Sequence, residues 1–282
     1  MNVLISIDME GCAGVVHTDQ TRRTGADYER ARVWMTLEAN AAALGAFDGG
    51  AECVWVNDSH ADMRNLVLES LDPRVRVISG ALKPLSMVQG LDGTRANALF
   101  FVGYHGGAGT RASVLDHTYY GAVVSDVHVG SSAGAEVPGG SLDEAEINAM
   151  VAGEAGVPVA LVTGDRAVTV RASERFENVV TVEVKQSITR FAADSLHPEE
   201  ARRRIREGAR LATMRAPTLR PYVVEPPLVL TIGLLSSGFA DAAELVPGIE
   251  RLDARRVRFV AASAREMLRA LVTVTKIAGT VA

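Results

Sequence analysis

Short apolar runs, many of them β-branched, alternate along this chain with longer stretches in which apolar residues recur every three or four positions. The runs predict strands at about 2–8, 52–57 (ECVWVN), 75–79, 97–103 (NALFFVG), 121–129 and 157–163 (VPVALVT). Between them, DYERARVWMTLEANAAALGAF (27–47) has helical spacing and stops at Gly49-Gly50. SLDEAEINAMVAGEAG (141–156) opens on a serine and early acids, as a helix N-terminus does. Strands alternating with helices predict an α/β fold, a layered and largely parallel sheet flanked by helices.

After about residue 165 the character changes. An extended run, VVTVEVKQSITRF, precedes a helix at 198–214; a proline-rich linker (216–227), a strand at 228–235 and a terminal helix from about 263 follow. The expected division is a metal-binding catalytic α/β domain over 1–165 and a smaller C-terminal α/β subdomain over 166–282.

Composition narrows the function classes. A net charge of −5 without a lysine-rich tract argues against a nucleic-acid surface, and the arginines of EEARRRIREGAR have glutamates interleaved, as on a solvated helix face. No run reaches the roughly 20 apolar residues that span a bilayer, so no membrane partner is expected. The chain starts directly on a strand without a secretion signal. Cys12 and Cys53 make neither a disulfide framework nor a zinc-finger spacing. The expectation is a cytoplasmic protein with reduced thiols.

One stretch needs a chemical reason. LISIDMEG puts Asp8 and Glu10 at the end of a run that is otherwise built for burial. In open parallel sheets, functional groups gather at the carboxyl ends of the strands. The strand at 52–57 ends in NDSH, giving Asp58 and His60, and the strand at 97–103 ends in GYHGG, giving His105. The helix at 141–156 brings Glu144 and Glu146 toward the same edge. Taken singly, each has an ordinary structural explanation: a strand-end acid caps a turn, and an acid in a first helical turn suits the dipole. Together, carboxylates and imidazoles on one edge are the donor set of zinc or a similar divalent ion. Asp8, Glu10, His60, His105 and one helix acid are enough for two ions if one carboxylate bridges, with positions left open for water and substrate. Paired metals about 3.5–4 Å apart can share a water, lower its pKa and polarise a carbonyl. Cations would also offset the cost of burying the acids.

SIDMEG, NDSH, GYH and EAEINAMVAG stand in the order and approximate spacing of the DppA-type zinc D-aminopeptidases. YERAR…MTLEAN, ISGALKPLSMVQGLD and VKQSITR extend the resemblance over nearly the whole chain, most densely over 1–190. It implies a hydrolase with two zinc ions per subunit that removes an N-terminal D-amino acid, of D-alanine type, from small peptides or amides. It also implies a homo-oligomer, a self-compartmentalising ring that is decameric in the family. Carried over by position, the zinc ligands would be Asp8 (bridging), Glu10, His60, His105 and Glu144, the last chosen over Glu146 by its spacing to Asn148. His117, in VLDHTYYG, matches the family's catalytic histidine, although GGAGTRASVLDH holds one residue more than the pattern before it. By chemistry its ring could serve as base, acid, oxyanion stabiliser or nucleophile.

Other residues are assigned less. Gly106, Gly107 and Gly109 lack a phosphate-loop pattern and are expected to allow close backbone approach or a turn. Asp58 and Asn65 are expected to orient a metal-bound imidazole. His17, His128 and His197 read as structural or surface groups, and Lys185 and Gln186 carry no role that chemistry assigns. Two alternatives share the site: a metal hydrolase of another amide or lactam, and a peptide-binding relative without hydrolysis. A third makes LISIDMEG a Mg²⁺ phosphotransferase motif. That chemistry needs oxygen ligands and a lysine on the phosphate, whereas two strand-end histidines favour zinc.

Overall fold

The computed structural model of the chain describes residues 1–131, 137–138 and 140–281. Strand β1 (Asn2–Ile7) leads into a single-turn helix α1 (Thr18–Thr21), a long helix α2 (Tyr28–Asp48) and strands β2 (Cys53–Asp58), β3 (Arg76–Ile78) and β4 (Ala98–Tyr104). Next come β5 (Val124–Ser131), α3 (Glu144–Glu154), β6 (Val159–Asp165), α4 (Arg166–Arg175), β7 (Val180–Thr189), β8 (Ala192–Ser195) and α5 (Pro198–Arg215). The chain finishes with β9 (Leu228–Leu234), α6 (Ser237–Glu244), β10 (Glu250–Arg251), β11 (Arg256–Ala261) and α7 (Ala264–Ala278).

Two sheets result. The larger has the order β3-β2-β1-β4-β6-β7-β8 and is parallel except for its last pair. The smaller, β10-β11-β9-β5, is antiparallel throughout. Strands β4 and β6 are buried at every residue, which is why they read as unbroken apolar runs. Alternate residues of β1 serve opposite faces. Val3, Ile5 and Ile7 join the core shared with Met35 and Ala39 of α2 and Ile205 and Ala209 of α5. Leu4 joins the other core, with Ile147 of α3, Ile232 of β9 and Leu271 of α7. The smaller sheet and α7 therefore cover the face of the larger sheet that α2 and α5 do not.

The change of character after residue 165 does not coincide with a change of sheet. Strands β7 and β8 extend the larger sheet, while β5, well before that point, pairs with β9 in the smaller one. A hydrophobic pattern fixes which face of a strand is buried but not which strand lies beside it. The arginine-rich face of α5 is solvated as expected: Arg203 and Arg204 pair with Glu200, and Arg206 pairs with Asp48. Both cysteines are free, Cys12 buried and Cys53 exposed. Among the described residues no helix is long and apolar enough to cross a membrane.

Candidate metal and catalytic site

Strand order reverses between β1 and β4: β2 and β3 lie on one side, β6 and β7 on the other. Such a switch point opens a crevice at the carboxyl ends of the strands, and Asp8 and Glu10 lie just past the end of β1. The chain there turns tightly across the end of β4, with Gly11 N–H donating to Gly103 O at 2.8 Å. Both glycines are required. A Cβ on Gly11 would lie 1.9 Å from Tyr104 O, and Gly103, at φ +67, would bring one to 2.3 Å from Asp8 O.

The neighbouring strands supply the imidazoles. His60 Nδ1 lies 3.3 Å from Asp8 Oδ1 and 3.0 Å from Glu10 Oε2, and His105 Nε2 lies 3.4 Å from Asp8 Oδ2. His117 stacks on His105 with centroids 4.5 Å apart, and its Nε2 is 3.9 Å from Glu144 Oε1. In all three rings the other nitrogen meets a main-chain carbonyl: His60 Nε2 at Thr21 O (2.8 Å), His105 Nδ1 at Gly106 O (2.9 Å) and His117 Nδ1 at Leu115 O (2.9 Å). A carbonyl only accepts, so that nitrogen carries the hydrogen and the remaining one is turned toward the carboxylates. This is how ligand histidines are oriented in metal sites.

The helix acids separate cleanly. Glu146 faces away, with its two oxygens 2.7 Å from Arg171 and 2.7 Å from Arg175, and it closes a capping box with Asp143. Glu144 points into the cluster and accepts from Tyr119 N–H at 2.6 Å. Asp8, Glu10 and His105 form one group whose donor atoms lie within 4.8 Å of one another, and His105, His117 and Glu144 form a second. The structure thus brings together Asp8, Glu10, His60, His105, Glu144 and His117.

The electrostatics are those of buried, mutually compensating charges. Burial alone would raise the Asp8 carboxyl, but the His105 and His60 rings outweigh it and hold Asp8 far below the carboxylate range. Glu10 is likewise depressed, its burial outweighed chiefly by His60. Burial opposes the charged imidazoles, yet Glu10 and Asp8 raise His60 well above its usual value, and Asp8 and Glu144 lift His105 to about 10. Glu144 is raised, mainly by burial. Even so, Asp8 Oδ2, Glu10 Oε2 and His105 Nε2 are buried without any hydrogen bond, close enough to interact as charges but not aligned to share a proton. Unsatisfied buried atoms of this kind demand a partner, and oxygen and imidazole nitrogen together fit a divalent transition ion.

Above the cluster is a cavity of about 630 Å³, within the range of small-ligand sites. Asp8, Glu10, His60, His117 and Glu144 form its floor, with Met63, Met87, Tyr120 and Phe191 among its walls.

The family model for D-aminopeptidases, Peptidase_M55, matches residues 1–273. The chain belongs to the D-aminopeptidase family. It is an enzyme of the metallo-aminopeptidase class. A D-aminopeptidase from Bacillus subtilis (strain 168) is 37% identical over 283 residues, covering 99% of this chain and 98% of that protein. A solved structure, the Zn-dependent D-aminopeptidase DppA from Bacillus subtilis, described as a self-compartmentalizing protease, superposes with a TM-score of 0.91 at 35% identity. It covers 99% of this chain and 98% of that one.

Several residues of this D-aminopeptidase acquire roles that sequence did not assign. Lys185 is buried and donates to the carbonyls of Glu10 (2.5 Å), Cys12 (2.9 Å) and Val15 (2.5 Å), fastening the loop that carries Glu10. The sequence carries no signal of this: Lys185 falls on the polar positions of the VTVEVK alternation, with Thr181 and Glu183, and only the folded strand buries it. Asp165 accepts from Ser113 Oγ (2.6 Å), and Ser113 Oγ accepts from Gly106 N–H (2.9 Å), which ties the His105 loop to the segment leading to His117. Asp58 and Asn65 act on the backbone rather than on the His60 ring: Asn65 Nδ2 donates to Asp58 Oδ1 (2.8 Å) and to His60 O (2.7 Å). The ring itself is held by Thr21, a main-chain partner that no residue-type pattern reveals. Gly106 and Gly107 do allow close approach, since a Cβ on either would lie 2.8 Å from Ser113 Oγ or Leu142 O, and Gly109 turns at φ +79. His17 and His197 cap α1 and α5, and His128 sits beside Asp126.

Two expected outcomes follow here. Lys185→Met removes a buried donor from the carbonyls of Glu10 and Val15, while Cys12 O keeps Val15 N–H at 3.2 Å, and an unsatisfied buried acceptor costs about 1–3 kcal/mol. A lower urea midpoint of the metal-free protein checks it; an unchanged midpoint would mean that the carbonyls find other donors. The second concerns pH. His105 is raised from 6.5 to about 10, so its contribution to metal-free stability is complete below the lower value and is lost as pH rises through the upper one. The chelated protein should therefore show a melting temperature that falls from neutral pH toward pH 10. A flat profile would show the ring to be neutral.

Proposed function

We propose that the enzyme is a binuclear zinc aminopeptidase that cleaves the bond after an N-terminal D-amino acid, of D-alanine type, in small peptides or amides. The observation that carries this reading is the convergence of three carboxylates and three carbonyl-anchored imidazoles at the base of the cavity, His105 beneath its lining, with buried donor atoms left unsatisfied. Asp8, Glu10, His60, His105 and Glu144 would hold the ions. Asp8 suits a bridging role because its two oxygens face different imidazoles, 3.3 and 3.4 Å away. Zinc, when bound, polarises the scissile carbonyl and acidifies water.

The chain's own residues do the rest. His117 is the imidazole that a substrate can reach: its side chain is 21% exposed, against 6% for His60 and 1% for His105. Its Nδ1 hydrogen is committed to Leu115 O, so Nε2 is the atom that takes, gives or shares a proton with the reacting groups. Tyr119 N–H fixes the carboxylate of Glu144 below it. The apolar walls exclude water from the acyl group.

The relative's description as zinc-dependent and self-compartmentalizing supports zinc and a ring-shaped homo-oligomer for this chain too. The free thiols, Cys12 buried and Cys53 exposed, suit a cytoplasmic enzyme. The deciding experiment is hydrolysis of matched D- and L-alanyl amides and dipeptides by zinc-loaded protein, with metal content measured alongside. Turnover of the D series alone, at two zinc ions per chain, is the expected result. Turnover of neither would move the reading to another amide or a lactam at the same site.

A further inference from the structure

The cavity wall carries three cations, and two of them have no acid beside them. Arg190 is ion-paired with Asp116. Arg22, directly after the Thr21 whose carbonyl anchors His60, and Lys276, in the last turn of α7, also line the cavity. Among the described residues neither side chain has a hydrogen bond or an ion pair. The acids of the same wall are otherwise engaged. Asp8, Glu10 and Glu144 face the imidazoles, and Asp62 lies 2.6 Å from Arg64 and 3.8 Å from Arg23. The cavity is thus apolar over much of its wall, donor-rich at its floor and lined elsewhere by two solvent-exposed cations whose charges are open to a ligand. Nothing in the fold requires Lys276 to sit there: the dipole of α7 favours a cation in its last turn, but any outward-facing position in that turn would serve equally.

A ligand that uses all three features has an amine and a carbonyl at one end and an anion at the other. For an aminopeptidase that ligand is a short peptide with a free C-terminus. An extended peptide advances about 3.3–3.6 Å per residue, so the carboxylate of a di- or tripeptide stands one or two residues beyond the cleaved bond, close enough for the cavity's own wall residues to be the groups that meet it. We propose that Lys276 and Arg22 bind the free α-carboxylate of the substrate and so select short, unblocked peptides over C-terminally amidated or longer ones. This rests on the aminopeptidase reading of the floor. Arginine and lysine both form charge-assisted hydrogen bonds to carboxylates, about twice as strong as neutral ones. Because that contact is present before and during the reaction, its loss raises KM more than it lowers kcat.

The test uses the zinc-loaded full chain with D-alanyl-D-alanine and D-alanyl-D-alaninamide, which differ only in the terminal charge. The wild type is expected to favour the acid in kcat/KM by about tenfold or more. Lys276→Gln and Arg22→Gln should each shrink that preference through KM, and Lys276→Arg should retain it. A structural or dipole role for Lys276 would lower the two substrates together and leave their ratio intact. An unchanged ratio in both glutamine variants, or a wild type indifferent to the terminal charge, overturns the proposal while leaving the aminopeptidase reading in place. Turnover of neither compound overturns both.

Discussion

Asp8→Asn is expected to strip the site of metal and lower turnover by at least about a thousandfold. The Asp8 oxygens stand between His60 and His105, so among the described residues it is the one carboxylate within 4 Å of both imidazoles. Asparagine keeps the size but loses the charge, and it turns an amide N–H₂ toward a ring nitrogen that must present a lone pair. Metal polarisation of a reacting carbonyl is worth several kcal/mol, and each 1.36 kcal/mol of barrier is a factor of ten in rate. Metal analysis after dialysis should find less than one ion per chain. The same change removes a carboxylate that raises both rings, so in the metal-free variant His60 and His105 should titrate at lower pH by NMR. A variant that still bound two ions would remove Asp8 from the ligand set.

The second large effect is expected at His117. His117→Ala should lower kcat by about a hundred- to ten-thousandfold, the usual range for a positioned acid or base, while zinc stoichiometry is retained. The ring is partly exposed and packs face to face on His105 at 4.5 Å, so the protein should still fold, which its circular dichroism and melting profile check. The alternative outcome is specific. His117, His105 and Glu144 form a group whose donor atoms lie within 4.8 Å, so loss of one ion in the variant would make His117 a ligand. Loss of turnover with both ions in place would assign it to proton transfer or oxyanion stabilisation. Replacement by glutamine separates these further, since an amide can donate to an oxyanion but cannot take a proton.

Much of the fold is legible without coordinates because its central strands are buried on both faces. NALFFVG and VPVALVT leave few alternatives for an apolar run of that length, and they lie at Ala98–Tyr104 and Val159–Asp165. Some elements escape because their patterns are weak, although α6 (SGFADAAE) and β11 (RVRFVA) carry ordinary periodicity and are also missing from the expected set. Helix α4 (RAVTVRASER) has buried only Val168, Thr169 and Ala172 and starts without a loop at the end of β6. Strands β8 and β10 are four and two residues long, too short for alternation to register. The site was legible to the extent that strand ends are. Asp8, His60 and His105 follow from the parallel order of β1, β2 and β4; the resemblance alone favours Glu144 over Glu146, and the physical reason, the pairing of Glu146 with Arg171 and Arg175, lies on α4, which no local pattern announces.

By itself, the sequence determined that the core is a parallel sheet under helices and that acids and imidazoles crowd the carboxyl ends of its strands. Both follow from local periodicity and residue type, which one stretch of chain carries alone. Only the tertiary structure decided which strand lies beside which, so that β5 left the larger sheet for the smaller and α7 came to wall the cavity with Lys276. Only there, too, do Thr21, Gly106 and Leu115 carbonyls fix the imidazoles, and does Lys185 reach back across 175 residues to Glu10. Main-chain acceptors look alike in every residue, and contacts between distant segments leave no period in the sequence; folding alone selects them, because a buried carbonyl without a donor is costly.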